Sequence, residues 1–141
     1  MSLPNELFEL FTSEYVQSEN LVNTLNFNAE LPVNQIVEVY YQIINVSSLI
    51  AVVKPQLDPN NDKIIDAEKF ISEKFNSTVH PKLMEHITNS ISDITGELQS
   101  LNSEQKSNET IENEAKLYEK LREMMSTKEF VKQYDAGLSY D

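Results

Sequence analysis

The stretch MEHITNSISDITGELQSL, residues 84–101, decides how the chain is read. Its apolar residues Met84, Ile87, Ile91, Ile94, Leu98 and Leu101 stand three, four, three, four and three residues apart. That alternation is the a/d repeat of a helix whose seam faces another helix. The residues between are mainly Asn, Ser, Thr, Asp, Glu and Gln, so the other faces read as wet. Gly96 falls off the seam, where it costs about 1 kcal/mol of helix stability without opening a hole in a core. A two-position seam is narrower than the arc a helix turns toward a globular core. These six residues are therefore the candidate partner-binding surface. The plainer reading packs the seam inside the chain's own bundle, antiparallel to the last helix.

C-terminal to the seam, residues 102–110 (NSEQKSNET) read as a polar loop. A last helix is expected over residues 111–134, with Ala115, Tyr118, Leu121 and Met125 inward. Ser126–Thr127 would re-cap a final turn bearing Phe130, Val131 and Tyr134, and residues 135–141 would fray. N-terminal to the seam, Thr78 and Pro81 mark a helix start. A short helix from Asp62 would carry Ile65, Phe70, Ile71 and Phe75 on one side. Residues 62–134 together read as a coiled-coil-like helical hairpin region.

Residues 32–53 (PVNQIVEVYYQIINVSSLIAVV) are the most apolar part of the chain. Their β-branched content would suit strands, but about twenty residues without an interior Gly or Pro exceed an ordinary strand. No turn divides them, so they read as a central helix buried on most sides. A membrane span competes on length. Glu38, Gln42 and Asn45 lie within it and no base flanks its start, which favours the buried helix. Before it, Ser2 and Pro4 open a helix with Leu7, Leu10, Phe11 and Tyr15 at spacings of three and four. A polar patch at residues 17–20 suggests a break before Leu21, Val22 and Leu25, and the helix should end near residues 26–28. The expectation is one all-α domain over residues 1–141, a four- to five-helix bundle with acidic helices in residues 1–53.

Composition sets the exclusions. The 141 residues contain no Cys and only two Gly, which removes disulfides, thiolate metal sites and Gly-rich phosphate loops. A net charge of −12 argues against nucleic acid and anionic membranes as partners. The charge is unevenly placed: residues 1–53 hold six Glu and neither Lys nor Arg. That is either a solvated acidic face or a surface for a basic partner. The N-terminal residues resemble neither a secretory signal nor an Arg-rich transit peptide. An intracellular protein of cytoplasm or nucleus, not secreted, is expected, and the N-x-[ST] triplets at Asn45, Asn76 and Asn108 read as chance.

One short motif resembles a known one. DPNNDKIIDAEKF, residues 58–70, is similar to an EF-hand loop at Asp58, Asn60, Asp62, Ile65 and Asp66. It departs from that loop at Lys63, where the sharp turn takes Gly, and at Lys69, where a bidentate Glu belongs. A Lys there removes two oxygen ligands and adds a positive charge. The resemblance implies at most a degenerate, light-chain-like protein that clasps a target helix. The other reading is an Asx-rich turn before a capped helix. His80 and His86 lack the neighbours of a metal set, and no G-x-S-x-G elbow occurs. An enzyme using paired carboxylates has only the abundance of acids in its favour. Taken together, the residues predict a non-catalytic small helical subunit or adaptor of a larger, eukaryotic-type assembly. It is expected to need no cofactor or metal, and its expected partners are helical proteins, basic ones among them, in a hetero-oligomer rather than a homo-oligomer.

Overall fold

A computed structural model describes residues 3–57, 60–102 and 107–138. The fold is an all-α helical bundle, with no strand among the described residues. In chain order the helices are α1 (Leu3–Asn23), α2 (Val33–Val53), a 3₁₀ turn (Lys54–Gln56), α3 (Asp62–Lys69), a π-helical segment (Phe70–Val79), α4 (His80–Asn102) and α5 (Asn108–Leu138). The chain forms two compact units, residues 1–82 and 83–141.

In the first unit, α1 buries Phe11, Tyr15, Ser18 and Val22, spaced four, three and four apart. The polar patch at residues 17–20 does not break this helix. Ser18 Oγ donates to the Glu14 carbonyl at 3.0 Å, so the buried hydroxyl is satisfied from within the helix. The helix ends at Asn23, a few residues before the expected stop. There Thr24 and Leu25 N–H groups close onto the Asn20 and Val22 carbonyls, and an Asx turn follows, with Asn28 N–H donating to Asn26 Oδ1 at 3.0 Å.

Helix α2 is unbroken, as its length argued, and buries Ile36, Val39, Tyr40, Ile43, Val46, Ile50 and Val53. Residues 33–56 are long and apolar enough to cross a membrane by length and composition. One side of α2 is buried and the other is exposed at Tyr41, Ile44 and Val52, so the helix is not buried on most sides as expected. The α1–α2 pair is antiparallel. Leu10 shares a groove with Leu49 and Val52, while Glu14, one turn on, receives Gln42 Nε2 at its carbonyl (3.0 Å) and at Oε2. Each large side chain buried between these helices contributes about 1.5–3 kcal/mol.

The third stretch departs most from a 3.6-residue reading. Ile64 and Ala67 are buried, whereas the expected Ile65 and Ile71 are only half-buried. Thr78 and Pro81 start no new helix, because the chain is helical from Asp62 to Asn102. Between Phe70 and Val79 the hydrogen bonds widen to five residues, the His80 N–H reaching the Phe75 carbonyl. A repeat near five puts Phe70, Phe75 and His80 on one side, and all three are buried. Pro81 has no N–H and would crowd the carbonyl four residues back in a regular helix. The widened turns just before it accommodate both defects. Rings then lock this stretch to α1 and α2: Tyr15 lies 5.8 Å from Phe70 and Tyr40 lies 5.3 Å from Phe75. Burial first, then Glu19 and Asp66, raises the Tyr15 phenol above its ordinary value. The Lys54–Glu68 bridge at 2.9 Å joins two half-exposed side chains and adds at most about 1 kcal/mol.

The second unit contains most of α4, together with α5. Leu83, Ile87, Ile94 and Leu98 are buried on α4. The Ser107 hydroxyl caps α5, accepting from the Thr110 N–H at 3.2 Å. On α5 the buried residues are Glu114, Met124, Thr127 and Val131. This corrects the expected register, since Ala115, Tyr118 and Met125 are exposed and Leu121 is half-buried. Ser126–Thr127 does not re-cap: Thr127 Oγ1 donates to the Glu123 carbonyl at 2.8 Å inside a continuous helix. Residues 135–138, expected to fray, are its last described turn. Residues 103–106 of the predicted loop and 139–141 of the predicted tail lie outside the described residues.

Candidate functional site

The six seam residues of α4 divide into two sets. Ile87, Ile94 and Leu98 are buried, and Met84, Ile91 and Leu101 are half-buried. Leu101 lines a groove of about 510 Å³ with Glu97 and Ser100 of α4 and Leu117, Lys116 and Lys120 of α5. Near their connected ends, then, α4 and α5 lie side by side.

A second heptad series, on α5, faces outward. Ile111, Tyr118 and Met125 recur every seven residues and are 52%, 48% and 54% exposed. Seven residues are close to two helical turns, so the three form one stripe about 21 Å long. Ala115, also exposed, extends it at the intermediate position. Arg122 and Glu119 are exposed beside it, giving an apolar line with charges of both signs. The sequence holds a competing series at the same spacing, Leu117, Met124 and Val131. Spacing alone cannot rank two such series about 100° apart, which is why the wrong one was expected inside.

In the first unit, the α1–α2 groove has a volume of about 360 Å³ and is lined by Leu10, Glu14, Asn45, Ser48, Leu49 and Val52. Leu10 and Val52 are 48% and 47% exposed. Helical spacing extends the same flank of α2 through Tyr41 to Glu38, and that of α1 back to Glu6.

The remaining candidates are structural in their surroundings. His80, expected at a helix start, is buried and shares a hydrogen bond of 2.6 Å with Tyr40 Oη through Nδ1. His86 is half-buried. In the EF-hand-like stretch Asp58 lies outside the described residues. Asn61 caps α3 by accepting from the Lys63 N–H at 3.0 Å, the geometry of an Asx turn before a capped helix. No group of three His, Asp or Glu side chains among the described residues is arranged to hold a metal ion. No family model, curated protein or solved structure matches the chain.

Proposed function

We propose that the protein is a non-catalytic helical subunit that binds a helix of another protein. The observation that supports this best is the outward stripe of Ile111, Tyr118 and Met125 on α5, about half of each side chain being exposed. Burying that remaining half gives about 1 kcal/mol per residue. The sum, about 3 kcal/mol, is worth roughly two orders of magnitude in affinity. A helix that turns large apolar side chains to both sides costs solubility unless the second side is covered. The seam of α4 stays a candidate surface through its half-buried members Met84, Ile91 and Leu101.

The reading is tested with Tyr118→Glu. Partner binding should weaken by about tenfold or more, from lost burial and a carboxylate placed in an apolar contact. Thermal unfolding of the protein alone should stay within about 0.5 kcal/mol of the parent. A variant that melts far below the parent would make the stripe internal and defeat the proposal.

A further inference from the structure

We propose that the groove between α1 and α2 seats a basic amphipathic helix of another protein. This rests on the helix-binding reading for the kind of partner, and on a different unit of the chain for its place.

The floor of the groove is apolar: Leu10, Leu49 and Val52 line it, with Leu10 and Val52 about half exposed. From Glu38 to Val52 the flank of α2 runs about 21 Å, the length of roughly four turns of a bound helix. Tyr41, 55% exposed, stands on the same flank. Carboxylates are distributed along it. Glu14 lines the groove at its middle, Glu6 lies two turns before it on α1, and Glu38 lies toward the far end on α2. No base on either helix offsets them, because residues 1–53 contain none. The first base in the sequence, Lys54, is held by Glu68 at 2.9 Å.

An apolar floor between unneutralised carboxylates fits Leu- or Ile-type side chains flanked by Lys or Arg. A second copy of the chain fits poorly. Two chains of charge −12 repel, and none of the α-helices α1 to α5 has more bases than acids.

The test uses the full-length protein labelled with ¹⁵N and a designed peptide of about 18 residues, long enough to form a helix when bound. Leu occupies one face of the peptide and Lys the other, and a companion carries Glu in place of Lys. The Lys peptide should shift the amides of Leu10, Asn45, Leu49 and Val52 first, and the Glu peptide should leave them unmoved. Leu10→Ser with Val52→Ser should weaken binding about tenfold. Glu6→Gln with Glu38→Gln should weaken it several-fold and flatten its salt dependence. All four positions are exposed, so both variants should unfold like the parent. Shifts spread equally over α5, a footprint indifferent to these variants, or a concentration-dependent dimer that fills the groove would each overturn the proposal. Tyr118→Glu should leave this footprint intact. Loss of the groove footprint with an α5 interaction retained removes this inference alone, and the converse removes only the α5 stripe.

Discussion

Removing one oxygen atom tests the packing of the first unit. Tyr40 is 0% exposed and His80 is 3% exposed, and their 2.6 Å hydrogen bond joins α2 to the first residue of α4. The two rings meet edge-on at 5.6 Å, and Phe75 closes the cluster at 5.3 Å from Tyr40. Tyr40→Phe keeps the ring, its edge contacts and nearly all of its volume, so the change falls on the hydrogen bond. An imidazole nitrogen that loses its hydroxyl partner where water does not reach costs about 1–3 kcal/mol. The apolar gain from deleting a hydroxyl is smaller. The expected loss is therefore about 1–3 kcal/mol, or roughly 3–10 °C in Tm for a chain of this length. His80→Phe should cost a similar amount. The double variant should cost less than the two added together, with a coupling of about 1–2 kcal/mol. Urea unfolding followed by far-UV circular dichroism measures all four proteins, and equal m-values would show that the same surface is exposed in each. A Tyr40→Phe protein within about 0.3 kcal/mol of the parent, or strictly additive variants, would refute the reasoning.

Other perturbations have equally definite signs. Gly96→Ala should stabilise the protein by about 0.5–1 kcal/mol in thermal melts, because Gly96 lies inside α4 and an added Cβ meets nothing within 4 Å. Ile87→Asp places a carboxylate where the side chain is 1% exposed and should abolish cooperative unfolding of the second unit by calorimetry. Burial pushes the Tyr134 phenol from its ordinary 10.0 up to about 12. The folded state then holds a proton that the unfolded state releases first, so stability is full below pH 10 and falls as pH rises from about 10 to 12. Tyr134→Phe should flatten that fall in a pH series of melts, and an unchanged slope would contradict it.

Helix existence was legible in the sequence because long apolar periodicity is a strong local signal. Residues 32–53 are too long for a strand, and the helix they form runs from Val33 to Val53. Register was not legible wherever two periods competed. In α3, which is a regular α-helix, Ile64 and Ile65 are adjacent and spacing alone does not choose between them. Only from Phe70 to Val79 do the turns widen toward five residues, leaving Ile71 off the buried line of Phe70, Phe75 and His80. On α5 two seven-residue series coexist, and only the neighbours of the helix decide which one is covered. Ser18 read as part of a breaking patch because a sequence does not show that its hydroxyl bonds back to Glu14. The candidate surfaces divide in the same way. The acidic excess of residues 1–53 was visible, but its convergence with Leu10, Leu49 and Val52 needs the antiparallel pairing of α1 and α2. The stripe on α5 was visible as a pattern and assigned to the wrong side.

Position-specific photocross-linking shows whether the outward face of α5 meets another helix, as proposed. A benzophenone amino acid replaces Tyr118 in the protein expressed in its own cell, and a second protein carries it at Glu123, exposed on a different side of α5. Position 118 should give one defined cross-linked product, attached to a helical segment of the partner. That product should be lost with Ile111→Glu or Met125→Glu and be weak or absent from position 123. No product at position 118, or equal products at both positions, would contradict it.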